Sequence, residues 1–176
     1  MKGNSAYVDI IPWLRANRIP HVYNAKTVQT ANEHGIYRYN TNRCGSKSYE
    51  GEFKNGTFDG QGKLTCIECG DIREGNFKDN KLNGQGKHID CKGNFYEGEF
   101  QQGTYHGHGK YVFTNGNFYE GESEKNRYHG RGKYINANGE CYEGSYKHGE
   151  RNGFGKQTYL DGTVYKGKWK NDKELN

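Results

Sequence analysis

Tyr96-Glu97-Gly98-Glu99-Phe100 alternates aromatic, polar, small, polar, aromatic, and Gly109-Lys110-Tyr111-Val112-Phe113 again sets aromatics two residues apart. Both segments carry the period of two expected of β-strands. Thr114-Asn115-Gly116-Asn117 follows. Asn-Gly and Asp-Gly pairs favour tight hairpin turns, because both central residues accept φ > 0. One stretch of chain therefore reads as two strands and a turn.

The same stretch recurs. Tyr-Glu-Gly stands at Tyr49-Glu50-Gly51, Tyr96-Glu97-Gly98, Tyr119-Glu120-Gly121 and Tyr142-Glu143-Gly144, with variants Arg73-Glu74-Gly75 and Tyr165-Lys166-Gly167. After one step of 24, its glycines advance by 23 residues each time. A Gly-x-Gly-Lys block keeps register with it, ending at Lys63, Lys87, Lys110, Lys133 and Lys156. A third row holds Gly70, Gly93, Gly116, Gly139 and Gly162, each followed two residues later by Ile72, Phe95, Phe118, Cys141 or Val164. Interlocked rows at a fixed period signify a repeat architecture. A lone two-stranded hairpin is marginal in water, and stacking hairpins pairs their edges and joins their aromatics. A glycine repeated inside a strand weakens it unless something needs the space. The expected occupant is an aromatic ring of a neighbouring repeat.

Composition agrees with a thin, aromatic-rich fold. Of 176 residues, 27 are Gly and 15 are Tyr, and hydrophobic residues make up only 31%. That is too little for one large round core, while 14% aromatics argues against disorder. The expectation is an all-β protein: an elongated, twisted antiparallel sheet of about five stacked 23-residue hairpin repeats.

The Tyr-Glu-Gly and Gly-x-Gly-Lys rows resemble the membrane occupation and recognition nexus (MORN) repeat family, from Tyr49 to about Trp169. The repeat-defining positions are Tyr49, Gly51, Gly75, Tyr96, Gly98, Tyr119, Gly121, Tyr142, Gly144, Tyr165 and Gly167. Departures are Arg73 for the first Tyr, Ser123 for an aromatic, and one extra residue around Cys66 to Cys69. His34-Gly35-Ile36-Tyr37-Arg38-Tyr39 echoes the segment from His129-Gly130, with Tyr37 in place of the second glycine, and reads as a degenerate half-repeat. The resemblance implies a stand-alone array similar to radial-spoke head components, cytoskeletal scaffolds of protists and membrane-junction tethers. It implies no enzyme and no cofactor, since catalytic relatives carry their chemistry in a separate domain.

The expected organisation is an N-terminal basic arm or cap over 1–45, the repeat array over 46–170 and a tail over 171–176. The arm holds Lys2, Arg15, Arg18, Lys26, Arg38 and Arg43 against Asp9 and Glu33, so most of the net charge of +5 lies there. The body is nearly neutral, a poor surface for nucleic acid or anionic membrane. Pro12 suits the first position of a short helix through Asn17, and Thr27 to His34 suits another, ended by Gly35. The arm either caps the sheet or docks on a partner through Ile10, Trp13, Leu14, Arg15 and Arg18, with the aromatic as anchor. No apolar run reaches the roughly 18 residues of a membrane span, and no signal-peptide core is visible.

The Gly-x-Gly-Lys blocks lack the following helix that a phosphate loop needs. The Lys row, with Glu50, Glu74, Glu97, Glu120 and Glu143, suits cross-strand ion pairing. Cys44, Cys66, Cys69 and Cys91 crowd towards one edge, where Cys66-x-x-Cys69 has zinc-like spacing. All five cysteines are nevertheless read as reduced, with no metal. His106, His108 and His129 fall near one another in repeat register without forming a triad. The expected function is a non-catalytic scaffold or adaptor that binds proteins in a large assembly, cytoplasmic and cytoskeletal or ciliary (axonemal). The alternative is a peripheral tether to anionic phospholipid.

Overall fold

The computed structural model describes residues 33–41 and 45–175. The described residues form strands β1 (Glu33–Thr41), β2 (Gly45–Lys54), β3 (Thr57–Cys66), β4 (Ile72–Lys78), β5 (Lys81–Ile89), β6 (Phe95–Gln101), β7 (Thr104–Val112), β8 (Phe118–Glu124), β9 (Arg127–Ile135), β10 (Cys141–Lys147), β11 (Glu150–Thr158), β12 (Val164–Lys170) and β13 (Lys173–Leu175). Within each of two units the strands pair antiparallel in sequence order. The chain divides into two compact units, residues 1–91 and 92–176.

Two kinds of connection alternate. The tight turns lie at Asn55-Gly56, Asp79-Asn80, Gln102-Gly103, Lys125-Asn126, His148-Gly149 and Asn171-Asp172, where both central residues have positive φ. Paired positive φ is the two-residue turn whose twist matches a right-handed hairpin. The Asn115-Gly116 type of segment, expected to be the tight turn, is instead the longer connection. There Gly116 N–H donates to the Phe113 carbonyl, Phe113 N–H donates to the Asn117 carbonyl, and only the glycine has positive φ. Four of these turns also tie to the repeat before them, through the N–H groups of Asn80, Asn126, Gly149 and Asp172. In the second unit, Tyr105 N–H donates to Asn126 Oδ1 and Asn126 N–H returns a bond to the Tyr105 carbonyl.

In the first unit β1 pairs with β2 through nine residues, with Gly35 opposite Gly51 and Tyr37 opposite Tyr49. His34 and Gly35 therefore lie in a strand, and Gly35 ends no helix. Cross-strand pairing and burial of Tyr37 outweigh the helical pattern at Glu33 and His34, while Thr27 to Asn32 lie outside the described residues. The core of this unit includes Tyr37, Tyr49, Phe53, Phe58, Phe77 and Leu82. In the second unit Tyr119, Tyr142, Tyr146 and Trp169 form a buried cluster. Its last strand, β13, falls within the segment expected to be a tail and pairs with β12. Pro12 to Asn17 and Ile10, Trp13, Leu14, Arg15 and Arg18 lie outside the described residues.

Candidate functional site: two faces of a repeat sheet

A row of paired glycines divides the repeat motif. Gly51 faces Gly62, which faces Gly75, which faces Gly86. In the second unit the row runs Gly98, Gly109, Gly121, Gly132, Gly144, Gly155 and Gly167. Except where Arg73 replaces it, each repeat's own tyrosine covers its glycine pair, where the sequence reading expected a neighbour's ring. A Cβ on Gly62 would lie 2.2 Å from Tyr49 Oη, and one on Gly132 would lie 2.5 Å from Tyr119 Oη. Beyond the glycines, each hydroxyl donates to the carbonyl three residues downstream. The bonds run from Tyr49 to Glu52 (3.0 Å), Tyr96 to Glu99 (3.1 Å), Tyr119 to Glu122 (2.6 Å), Tyr142 to Ser145 (3.1 Å) and Tyr165 to Lys168 (3.2 Å). The tyrosine is thus a clasp across its own hairpin, and glycine is needed because the ring takes the Cβ's place.

A second aromatic stacks on the clasp. Tyr49–Phe58, Tyr96–Tyr105 and Tyr119–Tyr128 have ring centroids 3.7, 3.9 and 3.7 Å apart, within 19° of parallel. Such pairs contribute roughly 0.5–1.5 kcal/mol beyond area burial. Burial pushes up the hydroxyl pKa of Tyr49, Tyr119, Tyr128 and Tyr146, and lifts those of Tyr39 and Tyr96 to about 12. These hydroxyls stay protonated, as hydrogen-bond donors must.

In the fifth repeat Arg151 occupies the stacking position. Its guanidinium carbon lies 4.2 Å from the Trp169 ring centroid and 5.5 Å from that of Tyr142. Nε donates to Asp172 Oδ1 at 3.1 Å and a terminal N–H donates to Gln157 Oε1 at 3.1 Å. Tyr128, Tyr134, Tyr142, Tyr146, Arg151 and Asp172 are among the residues lining a cleft of about 500 Å³. The lining sets these tyrosine rings beside Arg151, Glu140 and Asp172, so the cleft is equipped to bind planar or charged groups. Sequence reasoning missed it; the departure of Arg151 from an aromatic row was its signal.

The opposite side of the sheet carries charge. Lys63 lies opposite both Glu50 and Glu74, and Lys87 lies opposite Glu74. In the second unit the ladder runs Glu97, Lys110, Glu120, Lys133, Glu143, Lys156. Ion pairs close at Lys63–Glu74 (3.5 Å) and Lys110–Glu120 (3.3 Å), both well exposed. Exposed pairs of this kind are worth little individually and mainly set register. The alternation breaks at the last rung, where Lys156 faces Lys166. Lys166, Lys168 and Lys170 share one side of β12, and Lys168 Nζ sits 5.4 Å from the ring of the exposed Phe154.

The cysteines depart from expectation. Cys66 is disulfide-bonded, so the all-reduced reading is corrected, and its sulfur is not available to the Cys-x-x-Cys zinc arrangement. Cys69, Cys91 and Cys141 are free. A hydrogen bond with Cys69 raises the Cys91 thiol pKa. Cys44 lies outside the described residues. Among the described residues no helix is long and apolar enough to cross a membrane.

No curated protein matches the chain. The MORN repeat model matches at residues 49–67, 74–95, 96–118, 119–141 and 142–164. Those matches cover more than half of the chain, four of them begin at a clasp tyrosine, and the chain belongs to the MORN repeat family.

Proposed function

We propose that this protein is a non-catalytic scaffold or adaptor that binds protein partners within a cytoskeletal or ciliary assembly. MORN repeats occur in scaffold and membrane-binding proteins. The supporting observation is the division of labour within the repeat. Tyrosines and glycines are used in closing hairpins, which leaves the positions around them open to side chains that serve recognition. Arg151 and the cleft beneath it are one such place, where aromatic walls and a guanidinium held by Asp172 suit a peptide with acidic or aromatic side chains. The arm, with Trp13, Leu14 and Arg15, is a second docking element.

The test is affinity capture from cytoskeletal extract with the full chain, beside an Arg151→Tyr variant and a chain beginning at Glu33. Arg151→Tyr restores the residue type found at Tyr105 and Tyr128, so the hairpin keeps its stack. Loss of specific partners with either change supports the reading. Identical capture by all three chains, or capture of nothing above background, contradicts it.

A peripheral membrane role is the second reading, favoured by the last repeat alone. There Lys156, Lys166, Lys168 and Lys170 stand beside the exposed Phe154. Basic side chains next to an exposed ring suit an anionic interface. Co-flotation with vesicles containing anionic phospholipid, lost on Lys166→Glu with Lys168→Glu, supports this reading; no flotation of the full chain ends it.

A further inference from the structure

Glu124, His129 and His148 come together where two successive repeats meet within the second unit. Glu124 ends β8, His129 lies in β9, and His148 is the first residue of the tight turn between β10 and β11. One ligand-type atom from each lies within 4.8 Å of the other two. His129 Nδ1 is buried and makes no hydrogen bond. It points at Glu124 Oε2 from 3.5 Å, too far for a good hydrogen bond. The His129 and His148 rings are 5.7 Å apart. Two ligands of a tetrahedral ion, each about 2.0–2.1 Å from the metal, sit roughly 3.3 Å from each other. The His129–Glu124 separation is close to that span.

We propose that Glu124, His129 and His148 form a binding site for a transition-metal dication, Zn²⁺ by donor type, with water completing the coordination. Two imidazoles and one carboxylate suit zinc and its borderline neighbours better than calcium or magnesium, which prefer oxygen alone. The backbone helps to preorganise the site, because the tight turn holds His148 at a φ of 56°. The fold itself does not demand the trio. One repeat earlier the same positions hold Gln101, His106 and Lys125, and one repeat later Lys147, Asn152 and Asn171. His106 Nδ1 is likewise buried without a partner, yet its neighbours in register offer an amide and an ammonium. Among the described residues only the set at 124, 129 and 148 assembles three donors. A bound ion would join the β8–β9 hairpin to the next hairpin's turn and lock that joint. This inference is independent of which partner the scaffold binds.

The register also supplies substitutions that the fold already tolerates. Glu124→Gln, His129→Asn and His148→Asn copy Gln101, Asn152 and Asn171. Untagged full-length protein is titrated with Zn²⁺ against a chromophoric chelator and by calorimetry. The expected result is saturable binding of a single equivalent and a melting temperature that rises with Zn²⁺, as linkage requires. Each of the three substitutions should weaken binding at least about tenfold, by analogy with losses from disturbed ligand shells. Metal-free melting should stay unchanged, and His106→Asn should leave affinity unaltered. Imidazole ¹⁵N shifts confined to His129 and His148 would place the ion. No stoichiometric binding, variants that bind like the parent, or equal loss from His106→Asn would overturn the assignment.

Discussion

The hairpin of β8 and β9 and the hairpin of β4 and β5 solve the same problem with different side chains. In the first, Tyr119 clasps Gly121 and Gly132, and Tyr128 stacks on it. In the second, Arg73 stands in the clasp position and Leu82 in the stacking position. Arg73 Nε donates to Asp71 Oδ1 at 3.1 Å, and His88 Nε2 lies 2.9 Å from Asp71 Oδ2. Yet Gly75 still faces Gly86, and a Cβ on Gly75 would meet the Gln85 carbonyl oxygen at 2.5 Å and Gly86 Cα at 2.6 Å. The glycine row therefore serves two requirements. One is close approach of the two backbones, present in both hairpins. The other is room for the tyrosine ring, present only where the clasp exists.

The contrast can be broken most severely at the clasp itself. Tyr119→Ala removes a fully buried ring and its stack and should cost about 4 kcal/mol in urea unfolding. Gly132→Ala should cost about 3 kcal/mol, because the new methyl collides with Tyr119. Tyr119→Phe keeps the ring and loses only the bond to the Glu122 carbonyl, so a cost of about 1 kcal/mol is expected. If that loss equals the loss from Tyr119→Ala, the hydroxyl bond and not the ring closes the hairpin.

The smallest effect belongs to the unclasped hairpin. Burial pushes the Asp71 pKa up, but the His88 hydrogen bond and the Arg73 charge outweigh it, so the carboxyl titrates below its usual range. A depressed folded-state pKa adds stability above the unfolded value near ~3.9, and this is lost as pH falls through the folded value. Asp71→Asn should therefore cost less than about 1 kcal/mol at pH 7, with the difference from the parent vanishing in acid. A difference that persists in acid would assign the effect to packing.

Much of this was legible in the residues. The Gly and Tyr rows state period, strand pairing and register, because each row must meet itself across the sheet. The half-repeat at Tyr37 was visible for the same reason. The tight turns were misplaced because Lys125-Asn126 and Asp79-Asn80 adopt paired positive φ without any glycine. The owner of the ring over each glycine pair was misread because spacing alone does not say which way a side chain leans. The Cys66 disulfide escaped notice because an odd cysteine count was read as reduced. The His129–His148 pair was missed because His148 sits in a turn placed elsewhere. Aligning that turn with Lys125 and Asn171 was the available signal.

A double-mutant cycle between Tyr119→Leu and Gly132→Ala tests the clasp most directly, with Gly121→Ala as the companion. The three atoms nearest a Cβ on Gly132 all belong to Tyr119, whereas one on Gly121 would first meet Gly132 Cα and the Arg131 carbonyl oxygen. Removing the ring should make Gly132→Ala cheaper by more than about 1 kcal/mol, while Gly121→Ala stays costly in either background. If the costs of Tyr119→Leu and Gly132→Ala add to within about 0.5 kcal/mol, the ring does not set the glycine requirement and the clasp account is wrong.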